Sequence, residues 1–344
     1  MNPSTSTRVP FLLETRAEVR AGQFPPADDP GATGLTGSTG TIGLPPGPVT
    51  SAELAAAVPD ARDRRRYRRI WHGMYRREDQ VDDLALRTAA LACAWPDGVL
   101  RGRSAALLWG DDTAPADAPP EIWLPATRRS TPGRVYRYGK LPREATTEVD
   151  GLRVTTPLRT CRDLAADLAV EDAVVAVERM CAVRPELVTL LGSAAEHPAG
   201  RGAARRFAEM VALVDPCSGS ADESRARVLL ATAGVGRFSR GHEVRLRSRQ
   251  LTLPLADPAA RCAVFVRTDG SPHAERPWDE RAADELRLAG WALVVVKGAA
   301  LPTRATAPPG DGVASVLRSR WPATAVLEPV DAVSAADPHG MWTA

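Results

Sequence analysis

Apolar positions along this chain change period several times, and each change marks a candidate element. In "TSAELAAAVP", Glu53 follows Thr50 by three positions, the reciprocal capping pattern that opens a helix, and Pro59 closes it. The next stretch, "DARDRRRYRRIWHGMYRR", carries Tyr67, Ile70, Trp71, Met74 and Tyr75 among its arginines and predicts a helix running into a short strand. Helical spacing returns over 82–95 and 103–109, and short alternating runs such as "EIWLP" and "RVYRYG" fill Glu121 to Val154. Helices are predicted over 160–182, 185–193 and 200–214. Ser220 and Glu223 then stand in capping-box register at the start of another helix, which Gly234 stops. Strands are expected at 241–247, 262–268 and 291–297, with a helix over 277–289 begun by Asp279. Beyond Pro322 little remains to bury. The pattern is that of a mixed α+β or α/β chain with a helical middle and a mixed sheet flanked by helices near its C-terminus.

Composition changes this picture little. A chain of 344 residues, 44 % apolar and 25 % charged, is long enough for two or three cores. Five cysteines without a C-x-x-C pair suggest neither a disulfide framework nor a zinc site. The start, "MNPSTSTRVPFLLETRAEV", lacks a basic segment followed by a sustained apolar one, and no apolar run approaches the roughly 18 residues of a membrane span, so a cytoplasmic location is expected. Residues 23–48 are rich in Gly, Pro, Thr and Asp and read as a flexible insertion. Their glycines lack the G-K-[ST] of a phosphate loop.

Several stretches, in order, carry a family likeness: "RVPFL", "RRYRRIWHGMYRR", "RSAALLWG", "GLRVTTPLRTCRDLA", "RGAARR", "SADESRARVLLATAGVG", "RTDGSPH" with Asp279 after it, and "AGWALVVV". Together they resemble bacterial proteins that join an antitoxin-like winged helix, of the abortive-infection AbiEi type, to a very-short-patch-repair-like endonuclease domain of the PD-(D/E)XK class. The resemblance implies an N-terminal segment to residue 48, a winged-helix-like DNA-binding region over 49–110 and a middle region over 111–217. A restriction-endonuclease-like mixed sheet over 218–321 and a flexible tail over 322–344 would follow.

For the winged helix, the resemblance implies DNA as partner. Between Arg62 and Arg77 eight arginines face one acid, Asp63. Arg64, Arg65, Arg68 and Arg69 recur at helical spacing, which predicts one strongly positive helix face, with Arg76 and Arg77 on a wing beyond the "GMY" turn. A solvated helix in an arginine-rich protein is the plainer reading of the same residues.

For the nuclease-like domain, the resemblance implies carboxylates that converge on Mg²⁺, which polarises the phosphate and activates a water. Glu223 fits the helix position of that pattern, and Asp257 lies near the strand position, where Pro254 now stands. Asp269 with Gly270 fits the end of the family's E-x-D-G, while Arg267 replaces its Glu. His273 is a candidate general acid. Alternation places Phe265, Arg267 and Asp269 on one face. A guanidinium about 4 Å from a dication is repelled by roughly 8 kcal/mol at an effective dielectric near 20, before solvent relaxes. Asp269 and Glu223 are instead expected to pair with Arg267 as a structural ion cluster. Each residue also has an ordinary reading: Glu223 as a helix cap, Asp269-Gly270 as a turn, His273 as a surface loop residue.

The expectation is a DNA-binding protein with a degenerate endonuclease-like domain, acting as an antitoxin-like repressor, with a cognate toxin as partner, or as a DNA-recognition subunit. It needs no cofactor. The alternatives are an active Mg²⁺-dependent endonuclease in which Glu223, Asp257 and Asp269 form a rearranged site, and a protein-interaction scaffold.

Overall fold

The computed structural model describes residues 47–129, 131–196, 202–216, 220–235, 237–247, 249–267, 279–297 and 326–328. The expected insertion up to residue 46 lies outside them, as do Asp269, Gly270 and His273. The chain is a mixed helix-and-sheet protein with two compact units, Met1–Asp167 and Leu168–Ala344. Among the described residues no helix is long and apolar enough to cross a membrane.

The first unit begins with a three-stranded antiparallel sheet in the order β1-β3-β2, formed by β1 (Val49–Thr50), β2 (Tyr67–Trp71) and β3 (Met74–Arg77). The predicted capping box is formed: Glu53 N–H donates to Thr50 Oγ1 at 3.2 Å and Thr50 N–H to Glu53 Oε2 at 2.8 Å, opening α1 (Ser51–Ala57). After Pro59, the Asp60 carboxylate accepts from Arg62 N–H at 2.7 Å and starts the single turn of α2 (Ala61–Arg64). Val49, Leu54, Val58 and Tyr67 close a small core, with Tyr75 packed against it.

A second sheet follows in the same unit, ordered β6-β5-β4-β8-β7. Its strands are β4 (Val99–Leu100), β5 (Glu121–Leu124), β6 (Val135–Tyr138), β7 (Thr146–Val149) and β8 (Leu152–Thr155). Three helices accompany it: α3 (Leu84–Ala94), α4 (Gly102–Leu108) and α5 (Pro157–Asp167). Buried hydrogen bonds tie these layers together. Thr88 Oγ1 and Ser104 Oγ share a hydrogen bond at 2.8 Å, Ser104 Oγ accepts from Glu121 N–H at 2.9 Å, and Trp109 Nε1 donates to Thr155 O at 2.8 Å.

The second unit holds α6 (Val170–Val183), α7 (Glu186–Glu196), α8 (Ala203–Val211) and α9 (Ala221–Thr232), then a five-stranded mixed sheet and α10 (Glu280–Leu288). The helix predicted over 160–182 is thus two, α5 and α6, one in each unit. Buried Glu178 on α6 accepts from Arg227 on α9 and from Asp215 N–H, which fastens the helical region to the start of the sheet domain. Helix α9 ends as predicted at Gly234 (φ +68°), where Val235 N–H donates to Leu230 O and Gly234 N–H to Ala231 O, the paired bonds of a Schellman stop.

The sheet runs β13-β12-β11-β10-β9, with β9 (Ser239–Arg245), β10 (Gln250–Asp257), β11 (Cys262–Arg267), β12 (Ala292–Lys297) and β13 (Val326–Glu328). Strands β9, β10 and β11 are antiparallel in succession, and β11 runs parallel to β12 across α10. The strand expected over 262–268 therefore stands in the middle. Fully buried Val264 and Val266 pack with Ala226, Leu229 and Leu230 of α9 on one face, while Phe265 packs with Ala283 and Leu286 of α10 on the other. Each such valine stabilises the sheet by about 1.5–3 kcal/mol through burial. Val326–Glu328, in the expected tail, adds a strand antiparallel to β12.

Candidate functional site

The arginine stretch is a one-turn helix and a hairpin, which corrects the expected positive helix face. Only Arg64 of the predicted helical quartet is helical; Arg65 is the C-cap, and Arg68 and Arg69 lie on β2. Tyr67, Ile70 and Trp71 favour extended backbone, and Gly73 (φ +80°) supplies the left-handed position for the two-residue turn into β3. Arg68 stands directly opposite Arg76 across the hairpin, a like-charge pair that needs offsetting. Acids just beyond the strand provide it. Arg68 pairs with Glu78 at 3.0 Å, Arg77 with Asp79 at 2.6 Å, and Arg76 donates to Gln80 O at 2.7 Å with Asp82 nearby at 3.9 Å. Arg64 is also occupied, closing α1 through Val58 O and Pro59 O. Exposed Arg62, Arg65 and Arg69 have no carboxylate within ion-pair distance among the described residues; Arg69 touches only the His72 ring at 3.5 Å.

In the second unit two of the four candidate site residues, Asp257 and Glu223, are described; Asp269 and His273 lie outside the described residues. Asp257 is held by the backbone: its Oδ2 accepts from Arg237 N–H at 2.7 Å, and its Oδ1 from Ala259 N–H at 3.0 Å and Ala260 N–H at 3.2 Å. The Arg237 amide above all, with the other two amides, holds the carboxyl below the usual range against the opposing effect of burial. The residue locks the turn between β10 and β11. Pro254 stands inside β10, and there the pairing with β11 stops at Leu255 because proline has no N–H to give. Strict alternation also breaks at Pro254: Leu251 and Leu253 pack on the α10 side, Leu255 on the α9 side and Ala256 back on the α10 side.

Glu223 is 3 % exposed on the sheet-facing side of α9. Its N–H is capped by Ser220 Oγ at 3.1 Å, as one half of the capping box requires, and its carboxylate lies 3.7 Å from the Arg240 guanidinium on β9. Burial pushes its pKa up, more than Arg240 pulls it down, and Asp222 adds to the rise. Arg267 follows Phe265 on the face toward α10, opposite the α9 side that carries Glu223, whose ion pair is with Arg240; the Asp269 part of the expected ion cluster with Arg267 lies outside the described residues. Asp279 caps α10 as predicted, accepting from Ala282 N–H at 3.0 Å. Among the described residues no three His, Cys, Asp or Glu side chains are placed to hold a metal ion. Asp257 has both oxygens on backbone amides and Glu223 on α9 faces Arg240, so neither carboxylate is free for a metal ion, and Asp269, the third residue of the expected site, lies outside the described residues.

A carboxyl with a raised folded pKa binds its proton more tightly when folded. Its contribution is therefore complete below the unfolded pKa and is lost as pH rises through the folded one. Glu223→Gln is accordingly expected to be more stable than the parent near pH 7 and equal to it below about pH 4. Urea unfolding at both pH values checks this; a less stable variant at pH 7 would mean that the Arg240 pair outweighs burial.

Sequence reasoning missed a highly charged buried site among the described residues. Arg101, its side chain 3 % exposed, meets Glu121 at 2.8 Å, Asp167 at 2.7 Å and Asp163 at 3.3 Å. Arg137 reaches Asp167 at 3.0 Å, and Arg159 reaches Asp163 at 3.0 Å while lying 5.1 Å from the Trp123 ring centre. Arg103 N–H donates to Glu121 Oε1 at 3.0 Å. Gly102 (φ +51°) makes room, because a Cβ there would lie 2.4 Å from Glu121 Oε2. Three acids thus surround one guanidinium where a cation would otherwise be required. Burial pushes Glu121 up, with Arg101 opposing; Asp167, where burial also acts upward, is nevertheless drawn below its usual value by Arg101 and Arg137. Burial also lifts the thiols of Cys181 and Cys262 to about 11 and about 12, which keeps them protonated and unreactive.

No protein-family model, curated protein or solved structure matches this chain.

Proposed function

We propose that the protein binds DNA through the α2–hairpin surface of its first unit, and that its C-terminal sheet is a nuclease-like scaffold whose carboxylates serve the fold. The observation carrying the reading is the exposed trio Arg62, Arg65 and Arg69 on a small helix-and-hairpin module in which Arg64, Arg68, Arg76 and Arg77 are occupied within the module. Three exposed guanidinium groups on one capped module suit phosphates, which bind by charge and hydrogen bonding without fixing sequence. The mixed sheet with a helix on each face supports the scaffold part of this reading. Its Asp257 and Glu223 are committed to the turn and to Arg240, which favours DNA recognition over cutting. An antitoxin-like repressor or the recognition subunit of a larger system fits this division.

The triple variant Arg62→Ala/Arg65→Ala/Arg69→Ala should weaken duplex binding and flatten its salt dependence. Each lost phosphate contact lowers the log–log slope by about 0.9, and loss of all three by about 2.7. Anisotropy titrations of a labelled duplex over a range of salt concentrations measure both. A folded variant with unchanged affinity and slope removes the hairpin as the DNA surface.

A further inference from the structure

Residues 126–143, "ATRRSTPGRVYRYGKLPR", hold six cations and no acid, a stronger bias than the hairpin, whose acids follow it directly. The segment includes β6, which among the described residues pairs with β5 alone and forms one edge of the second sheet. Its members have different tasks. Arg134 lies 4.7 Å from the ring centre of Trp71, the last residue of β2, and so sets the start of β6 against the hairpin. Arg137 is held by Asp167, and Arg128 lies 5.1 Å from the Trp95 ring centre. Exposed Arg129, Lys140 and Arg143 have no carboxylate within ion-pair distance among the described residues.

We infer that this acid-free edge continues the hairpin surface and binds the phosphate backbone of the same DNA duplex, an inference that rests on the DNA-binding reading above. Two observations favour duplex phosphate over single-stranded bases. The cations here are exposed, whereas the aromatics that would stack on bases are engaged: Tyr136 packs edge-on to Trp95 with ring centres 6.4 Å apart, and Tyr138 Oη donates to Arg128 O at 2.8 Å. The Trp71–Arg134 contact joins the two basic segments within one compact unit. Cations on an edge strand also discourage pairing with another chain. That role calls for charge on the strand itself, while Arg129, Lys140 and Arg143 all lie outside Val135–Tyr138.

The test compares the full chain with two triple variants, Arg129→Ala/Lys140→Ala/Arg143→Ala and the hairpin variant, on a labelled random-sequence duplex and on one of its single strands across a salt series. The edge variant should keep the parent's unfolding curve and lose up to about 2.7 of the duplex salt slope; Arg129→Glu should weaken binding further than Arg129→Ala. An edge variant with unchanged slope, beside a weakened hairpin variant, overturns this inference and leaves the hairpin reading standing. The reverse result overturns the hairpin reading and keeps the edge. Tighter binding to the single strand than to the duplex overturns the duplex assignment, and a parent chain that binds neither overturns both.

Discussion

Arg101→Met should destabilise the first unit by about 3–5 kcal/mol, the cost of removing one partner from a buried ionic cluster. The guanidinium is almost wholly enclosed and meets Glu121, Asp163 and Asp167; without it, two buried carboxylates and the partly buried Asp167 face one another. Arg137 and Arg159 still hold Asp167 and Asp163 from the rim, but Glu121 keeps only the Arg103 amide. Its burial already favours the protonated form, so the variant should take up protons there and recover part of its loss as pH falls from 7.5 toward 4.5. Urea unfolding at both pH values measures the deficit and its relief. A loss below about 1 kcal/mol at pH 7.5 would place the cluster with exposed ion pairs. Gly102→Ala gives an independent check. Its Cβ must displace the Glu121 carboxylate, and φ +51° is unfavourable for alanine, so it too should destabilise while leaving Arg101 in place.

What could be read in advance was local. Thr50, Ser220, Asp279 and Gly234 act within a few residues of themselves, and each ends or begins a helix as its chemistry dictates. Strand β11 was legible because its valines alternate with residues of the other face. Strand β10 was not, because Pro254 breaks its alternation and argues against an interior strand; the fold accommodates it where the ladder to β11 ends. The arginine stretch misled for a related reason. Cations at helical spacing outweighed the β preference of Tyr67, Ile70 and Trp71, although Asp60 supports only one helical turn. The Arg101 cluster joins residues 20 and 66 positions apart, and no short window of sequence contains it. The acid-free run over 126–143 was visible in composition alone, but its adjacency to the hairpin depends on Arg134 meeting Trp71.

Asp257 decides between a structural and a metal-binding sheet, and the two roles predict opposite results for Asp257→Ala. As the acceptor for Arg237, Ala259 and Ala260 amides, it leaves three partly buried donors without a partner when removed, a loss of about 2–3 kcal/mol allowing for water reaching the turn. The dependence on pH follows in sign. The folded pKa lies below the unfolded one, so this stability is complete above the unfolded value near 3.9 and is lost as pH falls through the folded one. The gap between parent and variant should therefore be full at pH 7 and shrink in acid. Asp257→Asn, which keeps one carbonyl acceptor, should fall between the two. Calorimetric titration with Mg²⁺ supplies the second readout: a turn lock predicts the same heats for parent and variant, apart from the difference in folding. If Asp257→Ala left stability intact but abolished Mg²⁺ binding and any duplex cleavage by the parent, the carboxylate would be a metal ligand and the sheet an active endonuclease.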